Sequence, residues 1–542
     1  MPWNYGDVLE SVATVVPPAS PFTIHGDKII SWGEAMPRMN NLARAMIARG
    51  AKPRDKVAFY LRNSAEYTEA MGACFLGRLT HVNINYRYKP DEVRYIIDNS
   101  DAQTLIYHSE FRDCIAQIHN QLPKVKTFIE VNGAEVASFA ESYEALATKG
   151  DGSPLGIERS PDDQLFIYTG GTTGMPKGVI YQHSDLMQLW LNRVERLTGY
   201  MPLSLEAFSQ LVKMSPIVPR VLPACPQMHG TGLMGTLTCF LAGGCVVTVE
   251  GQTFDPAEIW EATGKHRVTS ISVVGDPFAK PMLRALDEAP GRYDLSSLTG
   301  ITSSGAMFTE EVKDGLINHV PALVITDSFA STEAMGMGVS MASKDGHVKT
   351  ADFQLTEYAI VIDENDQRVG PGEAGLVAFG GPQPLGYYKD EVKTAKTFRI
   401  IEGKRYVVPG DFARVEADGS VTLLGRGSNC INTAGEKVFP EEVEEALKTH
   451  PSVDDALVLG VPDEKWGQAV TGVVVLSPGS SFDESDLRTH VRGQLAGYKT
   501  PKRILIAGVN LRAPNGKADY KAVGEFARRE LGITPHPSTG SG

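Results

Sequence analysis

The sequence predicts an α/β protein: a large, multi-sheet N-terminal α/β body with a β-rich closing segment, then a small α+β C-terminal domain. Three observations carry that expectation. Over roughly the first 330 residues, apolar strand-like runs alternate with amphipathic helical runs, the pattern of βαβ units and parallel sheet. From about residue 357 the runs shorten and turn signals multiply, among them the hairpin-favouring dipeptide Asp418-Gly419. Near residue 430 a fresh mixture of helix and strand begins. At 542 residues the chain exceeds what one hydrophobic core serves. Two domains are therefore expected, 1–427 and 428–534, with 535–542 as a disordered tail.

Taken in order, residues 33–49 place Met36, Met39, Leu42, Ala43, Met46 and Ile47 on one helical face. A strand at 56–61, a helix at 65–76 and a strand at 81–85 follow. Pro90, Asp91 and Glu92 open the next helix. Proline suits a first helical turn, and acidic side chains suit the positive end of the helix dipole. A strand at 104–107 comes next, then a loop at 150–154 and an apolar run at 164–168. The alternation continues with strands at 245–250, 269–275, 299–304 and 323–326 and helices at 256–266, 278–289 and 310–319. Such runs bury strands on both faces. The C-terminal domain is expected to hold a helix at 440–447 and a strand at 469–476. No internal repeat is visible.

Composition narrows the function classes. A formal charge of −13 argues against a nucleic-acid binder, which would present a basic face. Six cysteines without a CxxC pair or histidines at metal spacing suggest a reducing compartment, no disulfide framework and no zinc site. The N-terminus lacks the profile of a signal peptide. No apolar run approaches the ~20 residues that span a bilayer, so no transmembrane segment is expected. The expectation is a soluble, cytoplasmic protein.

The most informative stretch is TGGTTGMPKG at 169–178, directly after the apolar run. Glycines permit φ > 0 and let backbone N–H groups converge on an anion. Thr169, Thr172 and Thr173 add hydroxyl donors among Gly170, Gly171 and Gly174, and Lys177 adds a full charge. The residues form a polyphosphate cradle. The P-loop of kinases requires GxxxxGK[ST] running into a helix. Here Lys177 lies between Pro176 and Gly178, so no helix is expected to start there.

The combined string resembles the phosphate loop of the adenylate-forming superfamily: acyl-CoA synthetases, aryl-CoA ligases, luciferases and adenylation domains. Gly170 stands where many members have serine. Ordered matches over 168–517 extend the resemblance to nearly the whole chain. Residues 327–333, DSFASTE, match aromatic-Gly-x-Thr-Glu, with Phe329 and Ala330 in place of the commoner Tyr and Gly. The match implies that Phe329 stacks on adenine and that Asp327 faces its amino group, with Ser328 among the cofactor-binding residues. It also implies that Thr332 binds the α-phosphate and Glu333 holds Mg2+, a cation that prefers carboxylate and phosphate oxygens. SSGA at 303–306 resembles the small-residue wall of the adenine pocket, which implicates Ser304, Gly305 and Ala306. Alone, that string would signify only a turn.

YVVPGD at 406–411 matches the ribose motif, with Pro409 in place of threonine and Asp411 as the acceptor of both diol hydroxyls. Arg426 belongs to a Gly-Arg pair that resembles a second ribose or phosphate contact ahead of an interdomain hinge. Ser428 replaces the usual Asp or Lys of that hinge. Residues 431–444 match the lid loop, with Gly435 on the path of the pantetheine arm and Lys437 among the cofactor-binding residues. RAPNGK at 512–517 matches the terminal Gly-Lys signature. By that match Lys517 supplies a point charge during adenylation. The catalytic set implied is Lys517, Glu333, Thr332 and Lys177.

PQMHG at 226–230 matches the His-x-x-Gly type of acyl-CoA ligase, and no aspartate stands in that segment for a substrate amine. No carrier-protein motif follows, so a stand-alone enzyme is expected. The strings at 275–281 and 425–432 resemble bacterial ligases for long-chain or steroid side-chain acids. His229, Gly230, Met234, Val274 and Met335 are the implied substrate-binding residues, methionines suiting an adaptable apolar pocket. The expected enzyme uses ATP, Mg2+ and coenzyme A to convert a medium- or long-chain or steroid side-chain acid into its CoA thioester through an acyl-adenylate. A luciferase-like oxidative enzyme would share every motif. A non-catalytic nucleotide-binding regulator is the other alternative, and intact Glu333, Lys177 and Lys517 argue against it. The oligomeric state is left open, a homodimer included.

Overall fold

The computed structural model describes residues 3–169, 175–346, 349–433, 436–463, 466–513 and 516–533. The expected tail, 535–542, lies outside them. The chain divides into two compact units, one of residues 1–350 with 379–407, the other of 351–378 with 408–542.

The first unit is built on two sheets. One runs Gly386–Tyr387, Lys177–Gln182, Gln164–Thr169, Thr80–Asn83, Lys56–Tyr60, Ala102–His108, Thr127–Val131, Glu141–Ser142. Its strands pair in parallel from Gln164–Thr169 onward, as alternation with helices requires. Ala58, Tyr60, Val82, Leu105, Tyr107 and Phe166 build its core. At the near edge the pairing is antiparallel, Lys177–Gln182 running against both Gln164–Thr169 and Gly386–Tyr387. No helix starts at Lys177, as expected; a strand not foreseen in the sequence begins there.

The other sheet of this unit carries Pro21–His25, Cys245–Thr248, Arg220–Pro223, Ser270–Val273, Gly300–Ser304 and Val324–Phe329 in parallel order. Gly338–Ala342 pairs antiparallel with Val324–Phe329. The helices Asp276–Glu288 and Glu310–His319 pack on it through Phe278, Met282, Val312 and Leu316. The strand expected to stop at Thr326 continues to Phe329, so Asp327, Ser328 and Phe329 lie within it. An aspartate reads as a strand break, but Asp327 is matched by a buried lysine, and tertiary pairing overrides the local preference.

In the second unit, Asp352–Leu355, Val421–Arg426, Asp411–Val415 and Ala374–Phe379 pair antiparallel, and residues 416–420 form the turn signalled by Asp418-Gly419. Beyond them Val453–Asp463 and Gly467–Leu476 make a long hairpin, of which only the second strand was legible. The acid-started helix Pro440–Lys448 buries Val443 and Leu447 against it. Among the described residues no helix is long and apolar enough to cross a membrane.

Candidate active site

In sequence the glycine- and threonine-rich stretch lies between the antiparallel strands Gln164–Thr169 and Lys177–Gln182. Thr169 faces Lys177 and Tyr168 faces Gly178 at its base. Residues Gly170, Gly171, Thr172, Thr173 and Gly174 lie outside the described set. A Cβ on Gly178 would come within 2.7 Å of the Tyr168 ring, so only glycine fits there. Asn83 fixes the strand pair from below: its amide donates to the Tyr168 carbonyl (3.0 Å) and the Met228 carbonyl (2.8 Å), and its Oδ1 accepts from Tyr168 N–H (2.7 Å). One buried side chain thus ties the cradle to the segment that carries His229.

Around Lys177 the structure gathers residues far apart in sequence. Lys177 Nζ makes an ion pair with Asp390 and lies 5.9 Å from the centre of the Tyr387 ring. The Tyr387 hydroxyl donates to Glu333 Oε1 at 2.6 Å. Tyr181 donates to the Thr332 carbonyl at 2.9 Å. Lys177, Glu333 and the Thr332 backbone are therefore joined through two tyrosines. Among the described residues no group of three or more His, Cys, Asp or Glu could hold a metal ion alone. A single carboxylate is nevertheless what Mg2+ takes from a protein when substrate phosphates complete its shell. Glu333, with one oxygen anchored by a phenol, fits that role.

The proposed adenine wall is the pair of parallel strands Gly300–Ser304 and Val324–Phe329, with Ser303 opposite Asp327 and Ser304 opposite Ser328. Asp327 is 4% exposed and Lys313 2% exposed, their charged atoms 3.4 Å apart. Burial pushes the Asp327 carboxyl up to about 6, while Lys313 and a hydrogen bond from Ser303 pull it the other way. Its carboxylate is thus engaged by Lys313 and Ser303. Phe329 is buried on the same side of the strand. Gly305 and Ala306 follow at the strand end, Gly305 at φ +89°.

The segment assigned to substrate reaches this wall. His229 precedes the helix Gly230–Leu241, whose Thr231 hydroxyl donates to the Ser304 carbonyl at 3.4 Å. Met234 and Met335 are half-buried and Val274 is buried. After Val274 the chain turns at Gly275 (φ +53°), whose absent Cβ would meet the Met307 carbonyl at 2.2 Å. Gly275 N–H donates to Ser303 Oγ at 3.1 Å, so this turn also rests on the wall.

The second unit holds the remaining candidates. Arg426 Nε donates to Asp411 Oδ1 at 3.1 Å. Asp411 Oδ2 is buried with no hydrogen-bond partner, which leaves an acceptor suited to a diol. Lys517 is exposed on a tight turn: Ala513 N–H donates to its carbonyl (2.8 Å), and Gly516 takes φ +82°. Arg512 pairs with Asp455 at 2.7 Å and anchors the base of that turn. Gly435 and the side chains of Lys437 and Ser428 lie outside the described set.

Asn83, Lys313, Tyr387 and Asp390 were not singled out from the sequence. The only local signal was the Gly386-Tyr387-Tyr388 string before an Asp-capped helix. Nothing local shows that 386–387 pairs with the strand that begins at Lys177.

The chain is of the adenylate-forming class. Its sequence matches the family description AMP-binding enzyme over residues 9–388 and AMP-binding enzyme C-terminal domain over 442–517. The chain belongs to the AMP-binding enzyme family. It is 38% identical to the 3-oxocholest-4-en-26-oate–CoA ligase of Rhodococcus rhodochrous, over 99% of this chain and 97% of that protein. It is likewise 38% identical to the medium/long-chain-fatty-acid–CoA/3-oxocholest-4-en-26-oate–CoA ligase of Mycolicibacterium smegmatis, over 96% of each. The fold is similar to that of the anthranilate CoA ligase AuaEII in complex with anthranoyl-AMP, with a TM-score of 0.84, 21% identity and 98% of each chain covered.

Proposed function

We propose that the protein is an ATP-dependent acid–thiol ligase that activates an apolar carboxylic acid, of medium- or long-chain fatty or steroid side-chain type, and joins it to coenzyme A. The observation that carries this reading is end-to-end similarity at 38% to ligases named for such acids. The survival of Lys177, Glu333 and Lys517 supports a working enzyme over a silent binder.

In the first step the acid's carboxylate oxygen attacks the α-phosphorus of ATP, pyrophosphate leaves and an acyl-adenylate forms. The thiolate of coenzyme A then attacks the acyl carbon, AMP leaves and the thioester forms. Lys177 and the cradle backbone hold the β- and γ-phosphates, and Thr332 holds the α-phosphate. Lys517 neutralises charge at the attacking carboxylate. Mg2+ held by Glu333 would offset the charge of the phosphates. Phe329, with Ser304, Gly305 and Ala306, takes adenine, while Asp411 and Arg426 take ribose. His229, Gly230, Met234, Val274 and Met335 line the acyl site. Catalysis of this step is positioning and charge neutralisation, with no covalent intermediate on the protein. Residues 1–427 serve nucleotide and acyl binding in this reading, and 428–534 supply Lys517 and the pantetheine path at Gly435 and Lys437. The need for ATP and coenzyme A supports a cytoplasmic location.

The test is pyrophosphate release across a panel of carboxylic acids, with and without coenzyme A, in air and under nitrogen. Apolar acids should outcompete acetate and free amino acids. Each buried CH₂ contributes ~0.8 kcal/mol, so KM should fall along a homologous series until the pocket is full. A flat series, or turnover that needs oxygen, contradicts the reading.

The Tyr387 phenol gives a second prediction. Tyr387→Phe keeps the ring and removes the donor to Glu333. Partners that orient a metal ligand contribute about 10–100-fold in metal affinity, so the Mg2+ needed for half-maximal pyrophosphate release should rise by about tenfold or more. An unchanged Mg2+ titration would remove Tyr387 from that role.

A further inference from the structure

Asp390 lies 213 residues from Lys177 in sequence, yet it is the carboxylate paired with that lysine. The arrangement is built from several sides. Leu385 N–H donates to the Ile180 carbonyl and Tyr388 N–H to the Gly178 carbonyl, both at 2.8 Å, which lays 385–388 along the strand that begins at Lys177. Tyr388 donates to Asp101 Oδ2 at 2.7 Å, and Lys389 reaches Asp101 at 2.8 Å, so the segment is held from its other side too. Asp390 itself is not free to swing. Its Oδ1 caps the helix Glu391–Thr397 by accepting from Lys393 N–H at 2.9 Å, and its Oδ2 takes Lys177. Hydrogen bonds from Lys177 and the Lys393 backbone hold this carboxyl below its ordinary range, so it carries a full charge at neutral pH.

A polyphosphate that engages Lys177 must therefore share it with a carboxylate that is fixed in place. We propose that Asp390 is a positioning residue: it orients Lys177 as a permanent counter-charge and keeps the cradle's hold on polyphosphate weak enough for pyrophosphate to leave. The proposal rests on Lys177 being the phosphate lysine of the reading above.

Neutralising Asp390 removes the competition without unmaking the helix start, because asparagine caps as well as aspartate. Asp390→Asn should bind inorganic pyrophosphate about tenfold more tightly by calorimetry, since one close charge contributes on the order of a tenfold effect in a well-solvated site. The gain should shrink as salt is raised. In turnover, pyrophosphate should inhibit at correspondingly lower concentration while KM for the acid stays put. Asp390→Ser, a second neutral cap, should behave like asparagine. Asp390→Glu keeps the charge and should not gain affinity for pyrophosphate. A general loss of structure would move the acid KM as well. Unchanged or weaker pyrophosphate binding in both neutral variants would overturn the proposal. Calorimetry needs no acid, so a wild type that binds pyrophosphate but adenylates nothing overturns the functional reading and still leaves Asp390 to be decided by the binding constants. A wild type that binds neither pyrophosphate nor ATP overturns both.

Discussion

Lys517→Ala is expected to slow acyl-adenylate formation by about 10²–10³-fold, the range seen when a donor to developing transition-state charge is removed. The same variant should convert supplied acyl-adenylate and coenzyme A into thioester at close to the wild-type rate. The asymmetry follows from chemistry. Only the first step brings a carboxylate and a polyphosphate together, and only that step needs a cation between them. The turn that presents Lys517 is closed by main-chain bonds at Ala513 and Gly516 and anchored by Arg512 on Asp455 and Tyr520 on Glu444. Alanine at 517 keeps the main-chain bonds and leaves both anchors in place. Measuring the two half-reactions separately is the check. Equal loss in both would mean that Lys517 serves the fold or the second step as well.

A large effect on stability is expected behind the adenine wall. Lys313→Met strands the Asp327 carboxylate in a buried position with its counter-charge gone. Breaking one partner of such a pair typically costs about 3–5 kcal/mol, whereas replacing both with apolar residues is often neutral. The double variant Lys313→Met, Asp327→Leu should therefore recover much of the loss in urea midpoint. The pH dependence has a definite sign. Asp327 already sits at about 6, above the ordinary aspartate value, and loss of Lys313 raises it further. Between the unfolded value and the raised folded one, the folded state binds the extra proton, so stability falls as pH rises. The deficit of Lys313→Met should grow from acid toward neutral pH and shrink as pH falls. A deficit independent of pH, or no recovery in the double variant, would mean that the pair is not what stabilises this strand end.

Asp327 also marks where sequence reading stopped. Helices such as Ala65–Leu76 and Glu310–His319 were legible because their apolar residues or acidic first turns are local signals. The strand to Phe329 reads as ending at Thr326 because an aspartate looks like a terminus until Lys313, on the helix that precedes this strand, is brought to it by packing. The cradle motif was legible for the same local reason, since its glycines and Lys177 fall within ten residues of one another. Its environment was not. Tyr387 and Asp390 meet Lys177 and Glu333 only because a two-residue strand pairs with Lys177–Gln182 across more than two hundred residues. Asn83 joins Tyr168 to Met228 through the order of strands in a sheet, which no spacing along the chain encodes. Motifs reveal the groups that do chemistry; the groups that hold them are set by topology.

The measurement that bears most directly on the account is a product balance with one medium-chain saturated fatty acid, ATP, Mg2+ and coenzyme A under nitrogen. Acyl-CoA, AMP and pyrophosphate should appear in equal amounts, and omission of coenzyme A should leave acyl-adenylate bound at no more than one per protein chain. ADP and phosphate in place of AMP and pyrophosphate, or no thioester from any apolar acid while an amino acid is adenylated readily, would contradict it.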